Sequence, residues 1–545
     1  MISSAHPIAS KIGLDILKNG GNAFDAAIAV HFALSVVYPN AGNIGGGGFL
    51  VYRLNNGDIG TLDFREKAPE KSYRDMYIDS IEGELKVDDK RSKIGHLASG
   101  VPGSVDGMVK IYDKFSTVDW KTLLEPSIKL AREGFGVTEM QAKGLNNVKK
   151  SLLSANDHPI PFVKEDQWKV GDILTQKNLA NTLEKIKKSK RDGFYKGAVA
   201  ELIINEMKSG GGIITQSDLD NYSSVWREPV IGYFKNHKII SMGPPSSGGI
   251  ALVQLLHGAE QLETKNYDHN SLEYINTITE IESRVYADRA THLGDPDFFN
   301  VPQKSLLDKE YLLNRFSEIE SSIKTPSSEV KEGSFNGIES EETTHFSIVD
   351  KYGNAVSVTT TINGGYGSKV VVEGAGFLLN NEMDDFSVKP GYPNMFGLVG
   401  GEANSIEPNK RMLSSMTPTI IEKNDKLFMV VGTPGGSTII TSVLQTILNV
   451  YEFDMNVQDA VNAPRFHHQW LPDVVIFEEG LLNDEKDSIL SSKNYFTIQL
   501  PIEVDTGGMS ARSSIGAVDA IFIDDNGKVS TGADYRGDDY GEILK

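Results

Sequence analysis

Apolar residues recur at helical spacing from the start of the chain. Ile8, Ile12, Ile16 and Leu17 predict a first helix, and Gly20-Gly21 can stop it. The Ala-rich run Ala23 to Val37 predicts a second helix, ended at about Tyr38 by Pro39. This run is too short to span a bilayer and contains Asp25 and His31, so a buried helix is expected. After Gly45-Gly46-Gly47-Gly48 the period changes to two. Phe49 to Leu54 and Ile59 to Phe64 predict paired strands around the turn Asn55-Asn56-Gly57-Asp58.

From about residue 100 to 325 the pattern is mostly helical, clearest in Thr122 to Glu133, Gln176 to Lys188 and Ser271 to Leu293. The composition then shifts. Lys324 to Glu342 is rich in Ser, Glu, Gly and Pro, with Val330, Phe335 and Ile338 its only large apolar residues, and predicts an exposed, mobile linker. Beyond it, three hairpins are expected. They pair Thr344 to Val349 with Ala355 to Thr361, Thr417 to Glu422 with Leu427 to Val431, and Ala517 to Ile523 with a strand at Val529. Ser437 to Val450 predicts a helix among them. Hairpins with intervening helices predict stacked sheets with helices outside.

Composition narrows the class. The 545 residues are 39% apolar and 23% charged, as in a soluble globular protein with room for a large core or two to three domains. Lys and Arg number 54 against 74 Asp and Glu, giving a net charge of -20. That balance argues against nucleic acid or an anionic membrane as partner, and no segment reads as a membrane span. The chain has no cysteine, which excludes disulfides, thiolate metal sites and a Cys nucleophile. No signal-peptide pattern opens it.

Several catalytic motifs are missing. No His precedes a Glu, so there is no HExxH zinc site, and no GxSxG elbow occurs. The four glycines lack the Lys-Ser/Thr of a phosphate-binding loop and read as a tight turn. Adjacent His467 and His468 point apart, so packing or hydrogen bonding is expected there rather than a metal. The informative place is Glu341-Glu342-Thr343-Thr344-His345-Phe346-Ser347, where a polar run meets a Thr at the start of a strand. A Thr hydroxyl is a weak nucleophile unless a base takes its proton. An N-terminal Thr has such a base in its own α-amine, whose unperturbed pKa is about 7.7–8.0. Thr343 gains that amine only if the bond after Glu342 is cut. On the residues alone, a structural Thr and a nucleophile both stay open.

The string Thr343 to Asp350 resembles the start of the small subunit of γ-glutamyltransferases, a family of N-terminal nucleophile hydrolases with glutathione hydrolase activity. Further blocks resemble the family in order: Gly45 to Gly48, Asp63 to Glu66, Pro244 to Gly249, Tyr286 to Arg289, Leu379 to Phe386, Pro408 to Arg411, Leu413 to Thr419, Gly432 to Ser437 and Asn462 to Trp470. The resemblance covers almost the whole chain. It implies an α+β fold, a four-layer αββα sandwich. It implies self-cleavage at Glu342–Thr343 into a large subunit, 1–342, and a small subunit, 343–545, that form one intertwined unit. The reaction implied is cleavage of the γ-glutamyl bond of glutathione or related compounds through a Thr343 ester. Water or the amine of an amino acid or dipeptide then takes the group. No cofactor or metal is implied, and export to the periplasm or cell exterior is.

The resemblance also implies roles for single residues. Thr343 is the nucleophile and Thr361 the hydroxyl that supports it, although a β-branched residue also simply suits a strand. A γ-glutamyl donor carries an α-carboxylate and an α-ammonium. Arg65 is implied for the carboxylate, where a guanidinium can pair in bidentate fashion; a surface salt bridge is the alternative reading. Ser414 and Ser415 are implied as hydroxyl donors to the same carboxylate, and Asn363, Glu382 and Asp385 as ammonium ligands. Gly435 and Gly436 are implied as the oxyanion hole, beside a helix N-terminus that favours negative charge. Pro390 to Asn404 resembles a lid over the glutamyl pocket. Similar relatives carry Tyr where Phe396 stands, so the apolar cover is kept and the hydroxyl is not.

Two other readings are open. A cephalosporin or glutaryl acylase shares the fold, but its acyl group lacks the α-ammonium, so the set Asn363, Glu382 and Asp385 favours a γ-glutamyl donor. A non-catalytic binding relative is disfavoured by Thr343, Thr361, Gly435 and Gly436.

Overall fold

Strands buried on both faces set the architecture. The computed structural model describes residues 1–81, 84–88, 90–331, 344–389, 391–399, 401–501 and 514–544. In chain order the strands of its two large sheets are β1 (Ile2–Ser4), β2 (Gly47–Arg53), β3 (Ile59–Asp63), β4 (Val225–Arg227), β5 (Val230–Phe234), β6 (His237–Ser241), β7 (Thr344–Val349), β8 (Ala355–Thr361), β9 (Thr419–Lys423), β10 (Lys426–Gly432), β11 (Asp519–Ile523), β12 (Val529–Ala533) and β13 (Tyr540–Glu542). One sheet runs β13-β1-β7-β8-β2-β3-β4 and the other β12-β11-β10-β9-β6-β5. All neighbours within them are antiparallel.

Side-chain alternation distributes these strands between layers. Phe49 and Val51 of β2 join Ile240, Ile420, Val430 and Ile521 in a core shared by strands of both sheets. Leu50 joins Leu62, Phe346, Ile348, Val356 and Val358 in a second core with the helices α1 (Pro7–Lys18), α2 (Ala23–Val37) and α3 (Ser104–Phe115). Ile239, Ile421, Met429 and Val431 join a third, with α4 (Gly248–Gln261), α5 (Leu272–His292) and α6 (Thr438–Tyr451). The order is helices, sheet, sheet, helices: the αββα sandwich. Every residue of β7 and β8 is buried, as their central position requires.

The Ala-rich run is a helix buried along its whole length. Asp25 is tolerated there because it closes a capping box with Asn22 and accepts from Thr117 and Val118 backbone N–H groups. Among the described residues no helix is long and apolar enough to cross a membrane.

One expectation is corrected. The described start of the expected exposed linker, 324–331, is partly docked. Ser327 and Val330 are buried, and Lys324 pairs with Asp473 at 2.7 Å. Backbone N–H groups of Thr325 and Ser327 donate to Glu280 at 2.9 Å and Asp473 at 3.1 Å, so carboxylates contributed by distant parts of the fold capture a polar segment. The expected cleavage point Glu342–Thr343 lies outside the described residues.

Candidate active site

At the end of β3 the chain turns through Phe64 into Arg65 and Glu66, both fully buried. Asp63 holds the turn. Its Oδ1 accepts from the Arg65 backbone N–H at 3.0 Å and its Oδ2 from Arg227 Nε at 2.7 Å. The Arg65 guanidinium donates to Glu382, to Asp385 Oδ2 at 2.6 Å and to Glu66 Oε2 at 3.3 Å. Its Nε reaches the Met412 carbonyl at 3.3 Å. Glu382 and Asp385 share one short 3-10 turn, Glu382–Asp385. The cation and two of the carboxylates expected around a donor head group thus converge, and the surface reading of Arg65 is excluded.

One guanidinium among three buried carboxylates leaves excess negative charge. Burial opposes the charge on Arg65, but Glu382, Glu66 and Asp385 outweigh it and hold the group above its ordinary range. Burial also lifts the Glu382 carboxyl to about 7, against the pull of Arg65. Burial and the neighbouring Glu382 push Glu66 well above the usual carboxylate range. The two acids are hydrogen-bonded and hold a proton between them near neutral pH.

Thr361 ends β8. Its Oγ1 accepts from the Asn363 backbone N–H at 2.7 Å and its hydroxyl hydrogen-bonds the Glu382 carboxyl. Asn363 sits at φ 65°, the left-handed region that Asn tolerates better than most residues. Its Nδ2 donates to the Asn381 carbonyl at 3.0 Å, while its Oδ1 is buried with no partner among the described residues. An unpaired buried acceptor beside Glu382 suits an incoming ammonium.

The other side of the site presents neutral groups. Ser414 and Ser415 are fully buried. The Ser414 backbone N–H donates to the Pro245 carbonyl at 2.8 Å, and Ser247 returns both its N–H and its hydroxyl to the Ser414 carbonyl at 2.7 Å. Gly435 and Gly436 form the turn into α6, at φ 137° and 65°. A Cβ on Gly435 would stand 2.5 Å from Thr438 Oγ1, so the turn admits only glycine there. The turn leads into the N-terminus of α6, where backbone N–H groups and the helix field favour developing negative charge.

In the segment expected as a lid, two neighbouring side chains take different places. Phe396 is packed into the core of the second sheet and its helices, with its carbonyl held by Gln469 at 3.2 Å. Its neighbour Met395 lies over the turn after Asn363: its Sδ accepts from Asn381 Nδ2 at 3.5 Å, and its Cε is 2.9 Å from where a Gly364 Cβ would be. His467 and His468 bond separately, His467 to Thr441 and Gln469 and His468 to the Val474 carbonyl, each at 2.9 Å. Past the junction, Thr344 begins β7 opposite Thr360. His345 is held by Thr359 at 2.9 Å and Ser347 at 3.0 Å, and burial pushes its pKa down to about 3, so the ring is neutral.

Sequence reasoning did not single out Glu66, although it adjoins Arg65 in a block of family resemblance. Nor did it give a role to Asp63, Tyr286 or Arg289, whose partners are far away in the chain.

The Gamma-glutamyltranspeptidase family model matches residues 9–543. The glutathione hydrolase proenzyme of Escherichia coli (strain K12) is 44% identical over 538 residues, 98% of this chain and 90% of the relative. That of Bacillus subtilis (strain 168) is 40% identical over 482 residues, 86% of this chain and 80% of the relative. Among solved structures, Helicobacter pylori gamma-glutamyltranspeptidase is 44% identical with a TM-score of 0.59, covering 61% of this chain and 94% of that one. A cephalosporin acylase from Bacillus halodurans, 24% identical, has the same fold, with a TM-score of 0.83 over 99% of this chain and 94% of that one. With a family model matched from residue 9 to residue 543 and relatives of this identity along most of their own length, the chain belongs to the gamma-glutamyltranspeptidase family.

Proposed function

We propose that this chain is a self-processing γ-glutamyltransferase that cleaves the γ-glutamyl bond of glutathione and related compounds. The observation that carries the reading is the buried cluster of Arg65 with Glu382 and Asp385, beside Asn363. An α-amino acid head group needs a cation and an anion a few ångströms apart, and this cluster supplies both. A glutaryl group has no ammonium to answer Glu382, Asp385 and Asn363, which disfavours the acylase reading. The likeness to the cephalosporin acylase is one of fold.

In the proposed reaction, processing first cuts the Glu342–Thr343 bond and frees the Thr343 α-amine. That amine takes the hydroxyl proton as Thr343 Oγ attacks the γ-carbonyl carbon. The oxyanion develops against the Gly435 and Gly436 N–H groups. Collapse breaks the γ-amide bond, and the leaving amine takes the proton from the Thr343 ammonium. Water or an acceptor amine then attacks the ester and regenerates the hydroxyl. Arg65, Ser414 and Ser415 hold the donor carboxylate, and Asn363, Glu382 and Asp385 its ammonium. The parts before and after the cut remain one unit, since β7 and β8 lie between β1 and β2 in one sheet. Export to the periplasm or cell exterior is part of this reading by family resemblance.

The test compares release of p-nitroaniline from γ-glutamyl- and glutaryl-p-nitroanilide. Rapid turnover of the first and little of the second is expected; the reverse preference would make the protein an acylase.

A further inference from the structure

Helix α5 is buried along nearly its whole length, yet it carries Tyr286 and Arg289. Three residues apart, they share one face. Both are at most 2% exposed. The Tyr286 hydroxyl donates to the carbonyl of Ser437, the residue between Gly436 and α6. Arg289 donates through Nε to Ser247 Oγ at 2.8 Å and through its terminal nitrogen to Ser415 Oγ. Ser247 in turn holds the Ser414 carbonyl. One helix face therefore reaches both parts of the neutral half of the site.

The chemistry of these bonds is directional. A guanidinium only donates, so it occupies a lone pair of Ser415 and orients that hydroxyl as a donor toward its other neighbours. The positive charge also strengthens the bond the hydroxyl then gives. That is the polarity a carboxylate requires. At the other end, a Gly-Gly turn has no Cβ to restrict it, and pinning the next carbonyl keeps its peptide planes from rotating.

We propose that Arg289 and Tyr286 are positioning residues for the γ-glutamyl donor: Arg289 turns the Ser414–Ser415 segment toward the donor α-carboxylate, and Tyr286 fixes the Gly435-Gly436 turn that receives the oxyanion. This inference rests on the γ-glutamyl reading above. It separates the two residues by kinetic signature. Arg289 acts on donor binding, and Tyr286 acts on the chemical step.

The experiment measures kcat and KM for γ-glutamyl-p-nitroanilide with wild type, Arg289→Gln, Ser415→Ala, the double variant and Tyr286→Phe. Arg289→Gln raises KM about tenfold or more and leaves kcat within about threefold, the scale of one charge-assisted bond. Because Arg289 acts through Ser415, the double variant is little worse than the poorer single one. Tyr286→Phe lowers kcat by about threefold to tenfold at unchanged KM. An unchanged KM in Arg289→Gln, independent effects that multiply in the double variant, or a Tyr286→Phe effect on KM alone overturns the proposal. Should Arg289→Gln not yield folded enzyme, Ser247→Ala replaces it: it removes the arm that runs from Arg289 through Ser247 to the Ser414 carbonyl, and an unchanged KM there overturns the proposal equally. Wild-type protein without γ-glutamyl turnover would sink the functional reading itself and this inference with it.

Discussion

The two halves of the proposed donor site are built on different physics. Around Arg65, one cation faces three buried carboxylates, and position is held by charge. Around Ser414, Ser415 and Gly435, the groups facing the site are neutral hydroxyls, carbonyls and a glycine turn, with the Arg289 guanidinium behind Ser415. The charged half answers to pH and fails when a partner is removed, because an unpaired buried charge is costly. The neutral half answers to geometry and should be indifferent to pH.

Removing the cation gives the largest effect. Arg65→Met leaves Glu66, Glu382 and Asp385 without their counterion and costs about 3–5 kcal/mol in urea unfolding. Arg65→Lys keeps the charge and loses the fork, weakening donor binding by about 1.5–3 kcal/mol as read from KM. If Arg65→Met unfolds like wild type, the carboxylates carry their own protons and the charged half is misread.

The corresponding cut in the neutral half is Gly435→Ala. A Cβ there collides with Thr438, so kcat falls roughly a hundredfold, the scale of a lost oxyanion donor, and the shape of the pH profile is unchanged. A moved pH profile would show that the halves are not independent.

Glu66→Gln sharpens the contrast. The Glu66 carboxyl hydrogen-bonds Glu382 and draws its pKa down, although burial still holds it at about 7. The amide is a weaker donor, so the Glu382 carboxyl ionises less readily, and the acid limb of kcat/KM moves up by at most about one pH unit. Stability depends on pH as well. A carboxyl raised from 4.5 to about 7 on folding favours the folded state fully below 4.5 and loses that contribution as pH rises through 7. Glu66 is raised in the same way, so wild type, which carries both acids, should lose more stability than Glu66→Gln between those values. Equal losses would remove the shared proton.

The smallest effect is at the proposed lid. Met395→Ala uncovers the turn at Gly364 and raises donor KM about threefold through lost apolar cover, with kcat nearly unchanged. An unaltered KM would mean that this segment does not cover the site.

Much of this was legible in the chain, and the exceptions have causes. Alternation at Phe49 to Leu54 and Thr344 to Thr361 gave the hairpins, with observed ends within about two residues. The glycines before Ser437 marked a helix start. Contacts between distant segments were hidden: Arg65 meets Glu382 across 317 residues and Asp385 across 320, which no periodicity encodes. Tyr286 and Arg289 were hidden differently. A helix buried on nearly all sides shows no amphipathic stripe, so its functional face cannot be told from its packing faces. The start of the linker was misread because its composition is polar, whereas its backbone N–H groups are captured by Glu280 and Asp473.

The central claim is that Thr343 becomes a free N-terminus and the nucleophile. Denaturing electrophoresis of purified wild type and Thr343→Ala, with N-terminal sequencing of the smaller band and a γ-glutamyl-p-nitroanilide assay, tests it most directly. The account predicts fragments of 342 and 203 residues from the 545-residue wild type, the smaller beginning at Thr343. Thr343→Ala should remain one inactive chain. A cut Thr343→Ala protein, or an uncut wild type with full activity, would contradict it.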